Sequence, residues 1–199
     1  TNCYGYGRGG PDRDLTAYDD TIQADCGLAS AQGLLTGETS FVGSIIADKV
    51  TGLTAVYATM MALFHRERTG EGQEVEVAMF ETMAAFMLVE HANGAMFSPA
   101  LGPAVYPRAV APKRRPYRTL DGEIAALVYN DKQWNTFIKA VQPPWNNDSF
   151  NTLEQRARQI DVEAGGIAVG AGEVERRIIR LGQEPDHGEA RHVRAIRTP

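Results

Sequence analysis

An α/β fold is the class this sequence predicts, on three stretches in which strand and helix signals alternate. Residues 1 to 14, TNCYGYGRGGPDRD, read as the end of a strand running into a glycine-rich loop. Residues 44 to 70, SIIADKVTGLTAVYATMMALFHRERTG, read as a short apolar approach followed by a long helix. Gln73 to Val77 alternates as a half-exposed strand does, and Met79 to Glu90 follows as a second apolar helix ending near Asn93-Gly94.

In chain order, Gly5, Gly7, Gly9 and Gly10 allow close backbone approach, and Pro11 with Asp12 makes a turn. The string GYGRGG fits G-x-G-x-x-G in spacing, but no apolar helix follows directly, so a dinucleotide fingerprint is rejected. A helix is expected over 18 to 34, with Gly27 and Gly33 weakening it, and a loop at 36 to 40 leads to the central stretch. There, Asp48 stands where the helix begins, at the positive end of its dipole. An aspartate at that position is most often a cap worth about 1 kcal/mol. His65, Arg66 and Arg68 suit the other end, and Gly70 supplies the stop. Leu53, Val56, Tyr57, Met60, Met61 and Phe64 recur at helical spacing, while Ala47, Ala55, Ala58 and Ala62 permit close packing, so this helix is expected to be buried on much of its surface.

From Ser98 the texture changes. Pro99, Pro103, Pro107, Pro112 and Pro116 punctuate a stretch without hydrophobic period, the mark of a linker or extended crossing segment. Its cluster Lys113-Arg114-Arg115 reads first as a solvated loop. Strand signals return at Tyr117 to Thr119, turn at Asp121-Gly122 and run from Glu123 to Tyr129; Asp131 is expected to cap a helix over Lys132 to Val141, and Thr152 to Ile160 carries a further helical pattern.

Composition excludes several classes of function. A net charge of -5 argues against a general nucleic-acid binder, and no apolar run is long enough to cross a bilayer. Cys3 and Cys26 have neither metal-ligand spacing nor the density of a disulfide framework, which makes a reducing cytoplasm the default. The four histidines form no HxxxH pair, and no metal site is expected. The chain starts at Thr1 and need not be a whole protein.

Taken in order, GYGRGGPDRD at 5 to 14, Ala17-Tyr18-Asp19, Ala47-Asp48, RERTGEGQEVEV at 66 to 77, PYRTLDGEIAALVYNDKQWNTF at 116 to 137 and DSFNTLEQRARQID at 148 to 161 resemble the family III coenzyme A transferases, a superfamily that includes the α-methylacyl-CoA racemases. The resemblance covers residues 1 to 161 and implies the central fragment of a longer family chain. By that resemblance the fold is part of a large Rossmann-like domain over 1–95, a linker over 96–116 and part of a small α+β domain over 117–161, with an atypical tail over 162–199. Family members form interlocked homodimers, and the proline-punctuated segment is compatible with such a crossing.

The resemblance gives Asp48 a role. In the family an aspartate at this place is the covalent nucleophile, and a carboxylate suits attack on an acyl-CoA thioester. Such a nucleophile fits a helix N-terminus inside an apolar cleft, with neighbouring backbone N–H groups steadying the oxyanion of each tetrahedral step. Leu15, Thr16 and Ala17 match the segment that approaches CoA, and Tyr18 matches the aromatic residue that lines the CoA and acyl site in transferases. Racemases carry a histidine acid/base partner there, for which tyrosine is a poor substitute. The implied activity is CoA transfer from an acyl-CoA to a carboxylic acid, with no permanently bound cofactor; the alternatives are a racemase or isomerase of the same fold and an inactive truncated fragment. Two departures stand out. No glycine-rich active-site loop occurs in 98 to 116, against formyl-CoA and oxalate as substrates, and residues 162 to 199 lose the family pattern, as a non-native frame or a poorly ordered end would.

Overall fold

The computed structural model describes residues 1–111, 114–118, 123–125, 130–142, 151–152, 154–155 and 194–196. The chain divides into two units, Thr1–Arg114 and Arg115–Pro199. In the first unit, β1 (Asn2–Tyr4) pairs in parallel with β2 (Glu76–Ala78), in the register Asn2 with Glu76 and Tyr4 with Ala78. Parallel neighbours require a crossover. Here it consists of α1 (Asp19–Asp25), α2 (Leu28–Thr36) and α3 (Ile46–Thr69). The pairing of β2 falls at the C-terminal end of the alternating stretch, where Val77 and Ala78 are buried. The chain then enters α4 (Met79–His91).

The single helix expected over 18 to 34 is two helices. Gly27 adopts φ 82°, a left-handed conformation that separates α1, with its C-cap at Cys26, from α2. The long helix α3 has the expected end, with Arg66 and Arg68 in its last turn and Gly70 at φ 76° donating its N–H to the Arg66 carbonyl.

The expected burial of α3 is corrected. Only Ala47 and Thr51 are buried, and Leu53, Val56, Tyr57, Met60, Met61 and Phe64 are all more than half exposed. The inward face carries small side chains instead: Ala47, Thr51, Thr54, Ala55, Ala58 and Ala62 are buried or half-buried. Helical spacing alone cannot say which of two apolar stripes faces the core, and here small residues let α3 approach its neighbours.

The core lies where the loop after β1 meets the starts of α1, α3 and α4. Tyr6, Ile22, Ala47 and Met83 are buried together, with Ala17, Val50, Met79 and Phe80 packed against them. Tyr6 and Phe80 meet in a tilted ring contact at 5.7 Å. After α4, a 3-10 turn at Asn93–Met96 starts the proline-punctuated stretch. Its described part turns back on the end of α4: the Leu101 N–H donates to the Gly94 carbonyl, the Val105 N–H to the His91 carbonyl and the Tyr106 N–H to His91 Nδ1. Gly94 and Gly102 pass so closely that a Cβ on Gly94 would lie 2.6 Å from the Gly102 nitrogen.

In the second unit, β3 (Tyr117–Arg118), β4 (Glu123–Ala125) and β5 (Arg194–Ile196) form an antiparallel sheet in that order. The tail thus supplies one strand of this sheet, which the loss of sequence pattern did not foretell. The helix α5 (Asp131–Val141) is capped by Asn130 rather than Asp131: Asn130 accepts from the Gln133 N–H, and Gln133 returns the bond to the Asn130 N–H. Thr152 and Gln155 make the same reciprocal pair. The expected strand residues 126–129, Thr119 and the turn at 121–122, the Lys113 of the basic cluster, most of the helix expected to Ile160, and 162–193 lie outside the described residues.

Candidate functional site

Asp48 is the third residue of α3, within its first turn, and it is exposed. It does not cap the helix as expected. The N-cap position is Ile45, whose side chain has no acceptor, so the oxygen must come from elsewhere. Asp19, the first residue of α1, provides it: its Oδ1 accepts the Ala47 N–H at 2.7 Å and the Asp48 N–H at 3.1 Å. Asp19 is itself buried, and its Oδ2 accepts from Gln23 Nε2 at 2.6 Å.

This arrangement overturns one expectation about the chemistry. The Ile46 N–H donates to the Ser44 carbonyl and the Lys49 N–H to the Ile45 carbonyl. With Ala47 and Asp48 bound to Asp19, the first-turn N–H groups from Ile46 to Lys49 already have acceptors. They are not open donors for an oxyanion. Nor, among the described residues, does an apolar cleft enclose Asp48. A cleft of about 600 Å³ runs along α3 and α4, lined by Gly7, Val50, Thr54, Tyr57, Glu81 and Phe86 among others, with Asp48 and Tyr18 outside its lining.

The segment matched to CoA contact leads directly into the Asp19 junction. Leu15 and Tyr18 are 59% and 72% exposed, Thr16 is exposed and Ala17 is half-buried. Tyr18 is the N-cap residue of α1, so its ring projects to solvent immediately before the buried aspartate that holds the backbone of Asp48. Ala17 seats the segment: a Cβ on Gly5 would lie 2.3 Å from the Ala17 Cβ, so only glycine fits opposite it. Behind it, the Tyr6 hydroxyl donates to Asp25 Oδ2 at 2.5 Å. That hydrogen bond to a carboxylate, with burial, pushes the Tyr6 pKa up to about 12.

The glycine-rich loop is occupied by carboxylates. The Gly7 N–H donates to both oxygens of Glu81 at 2.9 and 3.0 Å, the Arg8 N–H donates to Glu76 at 2.8 Å, and the Arg8 guanidinium pairs with Glu74 at 3.1 Å. Backbone donors that already hold negative side chains are poor receivers of a phosphate. Burial pushes the Cys26 thiol up, and Cys3 and Cys26 are both unpaired. Among the described residues, no group of three or more His, Cys, Asp or Glu side chains converges as a metal would need, and no helix is long and apolar enough to cross a membrane.

Asp19 belongs to the Ala17-Tyr18-Asp19 motif but was given no role of its own, and Gln23 was not singled out. Their signal was present as an Asp and a Gln at i and i+4 in the first helix, a spacing that puts both on one face. Nothing local marks them as partners of a helix 28 residues away.

The model of "CoA-transferase family III" matches residues 1–174. The succinate–glutarate CoA-transferase of Agrobacterium fabrum is 31% identical over 133 residues, 65% of this chain and 32% of that protein. The probable fatty acyl-CoA transferase Rv3272 of Mycobacterium tuberculosis is 28% identical over 170 residues, 78% of this chain and 42% of its own length. The crystal structure of a CAIB/BAIF family protein from Brucella suis superposes with a TM-score of 0.66 at 23% identity, over 89% of this chain and 46% of that one. The chain thus spans less than half the length of each of these three relatives. With the family model matching most of its residues, this chain belongs to CoA-transferase family III.

Proposed function

We propose that this chain carries the nucleophile of a CoA-transferase, and that Asp48 moves CoA from an acyl-CoA thioester to a carboxylic acid through an aspartyl intermediate. The observation that carries this reading is the placement of Asp48: exposed in the first turn of α3, its backbone bound by Asp19 from the helix that Tyr18 begins. A carboxylate oxygen of Asp48 attacks the thioester carbonyl, and the C–S bond breaks to give a mixed anhydride and CoA thiolate. The thiolate attacks the aspartyl carbonyl, forming an aspartyl-CoA thioester and releasing the original acyl group as its carboxylate. The acceptor carboxylate then attacks this thioester, expelling the thiolate and forming a second anhydride. Attack of the thiolate on the acceptor carbonyl yields the new acyl-CoA and restores Asp48.

Leu15, Thr16 and Ala17 lie along the CoA in this reading, and Tyr18 offers its exposed ring to the acyl group. The substrates are an acyl-CoA and a carboxylic acid; relatives named for succinate and glutarate make dicarboxylates the first acceptors to try. The apolar outer face of α3 supports assembly into the interlocked homodimer. Two unpaired cysteines suit a reducing cytoplasm. The large domain is read as Rossmann-like on its β1–β2 crossover, and the domain plan is 1–95, a linker to 116, then 117–161 and the tail.

The test is turnover of succinyl-CoA with glutarate and other short acids by the intact protein and by Asp48→Ala. The reading expects the variant to lose transfer by several orders of magnitude, and equal turnover in the two would end it. Deuterium wash-in at the α-carbon of 2-methylacyl-CoA without CoA exchange would support the racemase instead.

A further inference from the structure

We propose that Asp19 and Gln23 are positioning residues for Asp48, a role that rests on reading Asp48 as the nucleophile. The two side chains are 7% and 0% exposed, and their polar atoms are shared between both sides of the approach to α3. Asp19 Oδ1 holds the Ala47 and Asp48 N–H groups, and Asp19 Oδ2 accepts from Gln23 Nε2. Gln23 Oε1 accepts the Val42 N–H at 2.9 Å, and Gln23 Nε2 also reaches the Ser44 carbonyl at 3.4 Å. The amide orientation is forced, because a carboxylate only accepts and a backbone N–H only donates. One buried pair on α1 therefore pins residues 42, 44, 47 and 48.

A cap drawn from the local sequence would stabilise α3 as well. Ile45 cannot supply one, and the distant source has a further effect: it ties the backbone of Asp48 to the helix that follows Leu15–Tyr18. A nucleophile held on a rigid helix start needs its supporting groups fixed within about 0.5 Å, and a misplacement of about 1 Å costs on the order of 100-fold in rate. In Asp19→Asn an NH2 group would face either the Gln23 amide nitrogen or the two backbone N–H groups, so the arrangement cannot close.

The proposal is tested in the intact protein with succinyl-CoA and glutarate as probes, alongside amide hydrogen exchange resolved to Ala47 and Asp48. Asp19→Asn is expected to lower kcat on the order of 100-fold, with the KM for succinyl-CoA changed by less than about 3-fold. It should also speed exchange of both amides by about 10-fold or more, while the α5 amides stay unchanged. Gln23→Met, which keeps the Asp19 carboxylate but cuts its ties to Val42 and Ser44, should give a smaller fall in kcat and stands in if Asp19→Asn does not fold. Asp19→Glu, which keeps a charged acceptor, should recover part of the lost rate. Wild-type kcat in folded Asp19→Asn or Gln23→Met, or unchanged exchange at Ala47 and Asp48, would overturn the proposal. Activity retained in Asp48→Ala would remove the nucleophile and with it the catalytic part of this role, while amide exchange would still decide whether the clamp exists.

Discussion

Tyr6 shows how a single residue secures the ground beneath the site. Its ring is buried in the core against Phe80, and its hydroxyl is bound to Asp25. Removing that hydroxyl in Tyr6→Phe leaves the exposed Asp25 carboxylate to water and should cost about 1 kcal/mol in a urea titration. The raised pKa adds a pH signature. Unfolded tyrosine ionises near 10 and the folded one near 12, so the folded state binds the proton more tightly. The contribution is complete below pH 10 and is lost as pH rises toward 12. Wild type should therefore lose stability across that window more steeply than Tyr6→Phe, and parallel curves would contradict the assignment. Local sequence put Asp48 at the start of a helix, and the structure has it as the third residue of α3; its role as nucleophile comes from the family resemblance alone. The capping role of Asp19 was not legible, because nothing near residue 19 points to a helix that starts 28 residues downstream.

Elements were readable where local chemistry decides them and unreadable where tertiary packing does. The stop of α3 at Gly70 and the start of α4 follow from charge, glycine and period, and both appear as expected. The break between α1 and α2 turned on Gly27, which a helical period tolerates until its φ of 82° is known. Which face of α3 is buried was undecidable from spacing, since large and small apolar residues recur at the same period. The loop after β1 offers a test of its close packing. In Gly5→Ala the new methyl meets the Ala17 Cβ at 2.3 Å, so loop and segment must move apart. A loss of about 1–3 kcal/mol is expected, with weakened acyl-CoA binding measured as a raised KM. Unaltered stability and KM would show that Ala17 is not seated as described.

The outer face of α3 is strongly apolar. Seven large apolar side chains from Leu53 to Phe64 stand exposed along one helix, and Phe86, Leu88 and Val89 of α4 add to the apolar surface of the unit. Under the proposed assembly, a second protein segment covers these side chains. Sedimentation equilibrium of this chain is expected to give a concentration-dependent mass above that of the monomer, and replacing Met60 and Phe64 together by serine should reduce it. A strictly monomeric chain at all concentrations would sink the assembly reading. The family was legible in the separated motifs from GYGRGG to the run at 148 to 161, and the family match extends past them to residue 174. The strand at Arg194–Ile196 was not, because a short strand completed by partners 70 residues away carries no pattern of its own.

As the proposed nucleophile, Asp48 forms a covalent bond to the substrate, and chemical trapping detects that bond. The intact protein is incubated with succinyl-CoA, quenched with hydroxylamine or borohydride, digested and mapped by mass spectrometry. Modification at Asp48, dependent on succinyl-CoA and missing from Asp48→Ala, is the result expected. Modification at another carboxylate, or transfer to glutarate with Asp48 unmodified, would contradict it.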